Sequence, residues 1–197
     1  MWLWQKILTQ PYTTIFGIDM DGRRLWVPTM MKDIDKKSIV AVQAIRNMIM
    51  GSTLMATTSI LLCAGMGSLL SSTYGVKKPI NDYFILGAQG EFVVALKYAS
   101  LLAIFSLSFL CHTQSIRFLN QLNILICIPQ DVMSLVTPAY LREILEKASI
   151  LYIVGNRLCC AGLSLLLWIF GPVLAFLSLV AMVALLYNLD YVAGNDR

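Results

Sequence analysis

Three stretches of this chain run on without a formal charge for longer than a soluble domain of its size accommodates. Between Arg46 and Lys77 lie 30 uncharged residues, between Lys97 and Arg117 lie 19, and between Arg157 and Asp190 lie 32. A hydrocarbon core about 30 Å thick is crossed by roughly 20 helical residues, each rising about 1.5 Å, so every one of these stretches can span it. Composition agrees, with 58% of the 197 residues apolar and 13% charged. Soluble globular domains run at about 45–50% and about 25%. The expected fold is therefore all-α, an integral membrane helical bundle with three transmembrane helices near 47–70, 98–116 and 162–186 and an amphipathic juxtamembrane helix near 138–154. Residues 1–46 are expected to form an N-terminal cytosolic segment running into the first helix, 47–190 the transmembrane domain, and 191–197 a short tail.

The same counts exclude several function classes. Cys63, Cys111, Cys127, Cys159 and Cys160 are odd in number and show no C-x-x-C spacing, which fits neither a disulfide framework nor a thiolate metal cage. With His112 the sole histidine, no H-E-x-x-H zinc site can form within the chain. No metal, cofactor or catalytic residue is assigned. The net charge of +4 is spread along the chain, mostly beside apolar runs, so membrane topology explains it and no nucleic-acid partner is expected. The opening MWLWQKILTQPYTT has too short an apolar run for a secretory signal peptide.

Along the chain, Asp19, Asp21, Arg23, Arg24, Lys32, Asp33, Asp35, Lys36 and Lys37 make the first segment water-facing, with a turn at Asp21-Gly22. From Asp35 onward, Ile39, Val42, Ile45 and Ile49 recur on one helical stripe that leads into the first span. Gly75, Pro79, Gly87 and Gly90 mark an irregular loop, and Pro129 ends the pattern after the second span. Thr137-Pro138 then supplies a cap and a first-turn proline. Leu141, Ile144, Leu145 and Ala148 follow on one face, with Arg142–Glu146 and Glu143–Lys147 four apart on the other. Seven Lys and Arg precede the first span and four lie in the loop from Arg117 to Arg157 inclusive, against three on the opposite side. The positive-inside rule then puts the N-terminus in the cytosol and, with three crossings, the C-terminus on the far side. Plasma membrane and endomembrane both suit such a chain.

Few residues could carry chemistry. Ser52, Ala56, Ser59, Cys63 and Gly67 form a stripe of small side chains, either a helix-packing seam or, at Ser59, a polar pathway. Lys97 and His112 are ionisable groups in or beside the second span, where desolvation is expensive. Interfacial snorkelling of Lys97 and packing of His112 are the plainer readings, with transport or proton handling the alternative. Pro172, after Gly171, should kink or break the third run and free carbonyls there. Asn156 and Arg157 at its inner end and Asp190 at its outer end read as caps and anchors, or as substrate contacts.

The strings RRLWVPTMMKDIDKKSIVAVQAIRNMIMGSTLMATTSILL, SSTYGVKKPIND, GEFVVALKY, SIRFLNQLNILI, VGNRL and LLLWIFGPV, spread from about Pro11 to Tyr191, resemble a family of plant and bacterial membrane proteins catalogued as a domain of unknown function, number five-nine-nine. The resemblance implies a multi-pass membrane protein and, through the same strings, a plant source, but it brings no activity and no catalytic residues. Family members typically carry a further apolar helix at the N-terminus, of which MWLWQKIL resembles the tail. Cys159-Cys160 stand where an aromatic pair is expected, and Ser164 where proline is, loosening the inner half of the third span.

Two classes of function remain. The favoured one is a non-enzymatic channel, carrier or assembly component, with membrane lipids and a second copy or another membrane protein as partners, since three spans make a thin bundle. The rival is a membrane-embedded enzyme acting on lipid at the cytosolic interface, drawing on His112, Asn156 and Arg157.

Overall fold

The computed structural model describes residues 15–32, 34–75, 91–128 and 137–190. Among them every regular element is helical. In chain order these are α1 (Ile15–Met31), α2 (Ile34–Gly75), α3 (Glu91–Leu125), α4 (Pro138–Leu166), a 3₁₀ turn (Leu167–Ile169) and α5 (Pro172–Asp190). Three stretches are long and apolar enough to cross a membrane, Lys37–Ser72, Val93–Leu125 and Pro138–Ile169, and Pro172–Asn188 is a shorter apolar helix. The expected loop at 76–90, Pro129 and the tail lie outside the described residues.

Two compact units divide the chain. The first gathers α1, the start of α2 through Gly51, the end of α3 from Ser115, the start of α4 through Ile150 and the end of α5 from Ala184. Its core is Val27 and Met31 of α1, Ala41 and Ile45 of α2, Leu119 and Leu122 of α3, Ile126 just beyond it, and Leu141, Ile144, Leu145 and Ala148 of α4. The α4 face expected from spacing is thus the buried one. Thr137 accepts hydrogen bonds from the Tyr140 and Leu141 amides at 3.0 and 3.3 Å, and Pro138 opens the helix where a missing N–H costs nothing. At the end of α3 the ladder tightens, with Cys127 and Ile128 bonding back only three residues at 3.3 Å each.

The turn expected at Asp21-Gly22 is absent, and α1 runs straight through it. Glycine in a helix costs about 1 kcal/mol relative to alanine. That is less than the gain from burying Val27 and Met31, at roughly 1.5–3 kcal/mol each, and Arg23–Asp19 and Arg24–Asp21 pair along the helix at 2.8 and 3.5 Å. Nor is α1 wholly water-facing. Arg24 reaches Glu146 of α4 at 2.9 Å, and Arg23 donates to Ser149 and to the Met48 sulfur, so the helix is clasped onto the unit by its polar side as well. Lys147–Glu143 at 2.7 Å and Arg142–Glu146 at 3.8 Å are the expected α4 pairs.

The second unit holds α2 from Ser52, α3 up to Gln114, α4 from Leu151, the 3₁₀ turn and α5 up to Val183. Cys63, Met66, Leu101, Phe105 and Cys159 form its core. Here α2 and α3 are antiparallel, because Cys63 meets Ser106 while the earlier Ser59 meets the later Ser108.

The run from 162 to 186 is not one helix. Pro172 has no N–H and cannot continue the ladder of α4, which tightens into the 3₁₀ turn and stops at Gly171. The Ser178 hydroxyl donates to the Ser164 carbonyl at 3.0 Å across a separation of 14 residues. In a straight helix those residues would stand about 21 Å apart. The chain therefore reverses at Gly171, and α5 lies back along α4. The amphipathic start expected at 138–154 and the inner half of the expected third span are one helix, α4, and the end of α5 belongs to the same unit as α1. The expectation of a C-terminal side opposite to the N-terminal one rests on a single crossing over 162–186, where the chain forms two helices instead of one.

Sided vesicles test this. In a cysteine-free background, Thr29→Cys on α1 and Asn188→Cys on α5, both exposed, should react with an impermeant maleimide from the same face. Labelling from opposite faces would restore one kinked crossing.

Candidate functional site

The second unit buries polar groups in a layer between α2, α3 and α4. Ser59, Ser108 and His112 are each 0% exposed. On α3, Ser108 and His112 are four apart and so share a face. The Ser59 hydroxyl lies 2.9 Å from its own-helix Met55 carbonyl and 3.1 Å from the Ser108 hydroxyl, which in turn donates to the Gly155 carbonyl at 2.9 Å. A hydroxyl has one hydrogen. Two hydrogens therefore serve three contacts, and one contact is always short of a proton.

His112 packs its ring edge against Tyr152, with centroids 5.6 Å apart and planes at 76°. Neither ring nitrogen finds a hydrogen-bond partner among the described residues. Gly155 makes room for it: a Cβ built there would lie 2.7 Å from the His112 Nε2. Two turns on, a Cβ at Gly162 would lie 2.8 Å from a Phe105 ring carbon. Glycines at this spacing let the α3 rings press against the α4 backbone, as helix contacts in lipid require. The Ser108 bond to the Gly155 carbonyl joins the same two helices.

The stripe on α2 is buried at Ser52, Ala56, Ser59 and Cys63 but open at Gly67. It forms a packing seam with polar atoms in it. The Cys63 thiol lies 3.5 Å from the Ser106 hydroxyl, and the Ser52 hydroxyl is buried without a partner among the described residues. Asn156, next to Gly155, is half-buried, and its Oδ1 is likewise unpartnered among those residues. Arg157 follows, also half-buried.

A second polar contact sits at the chain reversal. Lys97 is 7% exposed. Its ammonium donates to the Trp168 carbonyl at 3.4 Å and lies 5.1 Å from the centroid of the Trp168 ring. Trp168 is four residues before Pro172, so its carbonyl is the acceptor that the proline cannot serve. Lys97 replaces the missing N–H with a charged donor and gains a cation–π contact as well.

The structure thus brings Ser59 and His112 into one polar layer and joins Lys97 to the carbonyl freed by Pro172. Asn156 and Arg157 follow Gly155 on α4, and the side chain of Asp190 lies outside the described residues. Sequence reasoning missed Ser108, Gly155 and Gly162. Ser108 and His112 at i and i+4, and Gly155, Cys159 and Gly162 at i, i+4 and i+7, were the patterns that could have found them.

The family model described as "Protein of unknown function, DUF599" matches residues 1–194. No curated protein and no solved structure matches the chain.

Two substitutions probe the geometry by thermal unfolding in detergent. Gly155→Ala should cost about 1–3 kcal/mol through overpacking, and His112→Ala in the same chain should recover part of the loss by emptying the space. Lys97→Leu should cost about 1–3 kcal/mol by leaving the Trp168 carbonyl without a donor, whereas Lys32→Leu on the exposed end of α1 should cost little.

Proposed function

The chain belongs to the DUF599 family, described as of unknown function, and from that premise we propose that it is a non-enzymatic channel or carrier whose polar route follows the layer of Ser59, Ser108 and His112. The observation that carries this reading is the imidazole of His112, wholly buried with both nitrogens unpartnered among the described residues. Leaving such a group unsatisfied costs about 1–3 kcal/mol, and ionisable side chains at membrane depth mark solute and proton paths. A water, a proton or a small polar solute passing the layer supplies the partner that the fold withholds.

Three long helices enclose little space, so the route is completed by a second copy of the chain or by another membrane protein, with lipid around the outside. The exposed apolar side chains of α5, among them Val173, Phe176 and Val183, suit a lipid boundary. The positive-inside balance favours α1 in the cytosol, and the turn back at Gly171 supports a scheme in which the end of α5 shares that side. Plasma membrane and endomembrane both fit this scheme.

Reconstitution in liposomes loaded with a pH-sensitive dye tests the reading. Wild type should dissipate an imposed proton gradient faster than empty liposomes. His112→Leu should abolish the excess flux. His112→Gln, which can hydrogen-bond but cannot carry a proton, should lose proton flux while keeping the thermal stability of the wild type. Flux unchanged in His112→Leu overturns the route, and turnover of a lipid substrate that is lost on His112→Ala favours the enzyme instead.

A further inference from the structure

Arg46 is the last charged residue before the 30 uncharged residues of the first long run, which sets it where α2 passes from water into lipid. It is exposed and has no acidic partner among the described residues, whereas Arg23, Arg24 and Arg142 of the same unit each have one. It stands in an open groove on this unit. One wall is the α2 face carrying Ile39, Val42, Gln43, Arg46 and Asn47, and the other includes Cys127, just past the end of α3. Steps of four place Ile39, Gln43 and Asn47 in one row and Val42, Arg46 and Met50 in the next. Ile39, at one end, is 77% exposed, and Met50, toward the uncharged run, is 63% exposed.

A free guanidinium, two amides and apolar side chains above and below them, at the depth of the headgroups, suit one kind of molecule. We propose that this groove binds an anionic phospholipid, its phosphate on Arg46 and its acyl chains along the Met50 side. The planar guanidinium donates two parallel hydrogen bonds to phosphate oxygens. The Gln43 and Asn47 amides serve the remaining phosphate and ester oxygens. A choline headgroup carries its own cation, which Arg46 repels, so the groove selects net negative charge.

Native mass spectrometry of the full chain in mild detergent, with phosphatidylglycerol and phosphatidylcholine at equal concentration, tests this. Wild type should carry phosphatidylglycerol in preference. Arg46→Gln should lower that affinity about tenfold, the loss expected of a charge-assisted hydrogen bond, without changing phosphatidylcholine binding. Arg46→Lys, which keeps the charge but not the fork, should fall between the two. Arg142→Gln, which removes an exposed arginine already paired with Glu146, should bind as wild type does. Equal binding of the two lipids by wild type, a loss in Arg142→Gln as large as in Arg46→Gln, or displacement of the lipid by millimolar inorganic phosphate would each overturn the proposal.

Discussion

A backbone carbonyl that sits away from water must find its hydrogen-bond partner in the protein, and in a chain this apolar that requirement governs the rest of the structure. Its sharpest expression is at Trp168. Pro172 withdraws the N–H that this carbonyl would have received, and a lysine from another helix takes its place. Because Lys97 is buried to reach it, the second long helix and the end of α4 are tied together at the point where the chain turns back. The turn is then fixed from the other side by the Ser178 bond to the Ser164 carbonyl.

Close approach is the second theme, and it follows from the first. Hydrophobicity does not draw helices together in lipid, so contact rests on shape and on polar bonds. Gly155 and Gly162 supply the shape by leaving the space that the His112 and Phe105 rings occupy. Ser108 supplies a bond, its hydroxyl donating to the Gly155 carbonyl. In the other unit the logic is the ordinary one of an amphipathic helix. Leu141, Ile144, Leu145 and Ala148 meet the apolar faces of α1, α2 and α3, while Glu146 holds Arg24 at the rim.

How much of this was legible depended on range along the chain. Spacing alone identified the buried face of α4, its Thr137-Pro138 start and its two ion pairs, because those depend on residues within a turn or two of one another. The first two long apolar stretches were equally plain, but the third long apolar helix is Pro138–Ile169 and not the expected run over 162–186. A break at Gly171-Pro172 was plain too. The size of that break was not. Whether a proline kinks a helix or reverses the chain is a tertiary outcome, and the lysine that meets the freed carbonyl lies 71 residues away. The same reasoning explains Asp21-Gly22. A glycine in a helix is a local cost, and the burial of Val27 and Met31 that outweighs it is tertiary. Ser59 and His112 could be named as polar residues in greasy surroundings, but their junction through Ser108 and Gly155 needed the antiparallel register of the helices.

The hydroxyl layer has a further property that follows from its deficit of hydrogens. With two protons to distribute over three oxygen contacts, Ser59 can point toward Met55 or toward Ser108, and both arrangements leave the heavy atoms where they are. The layer is therefore degenerate in its electric polarity although it is unique in its packing.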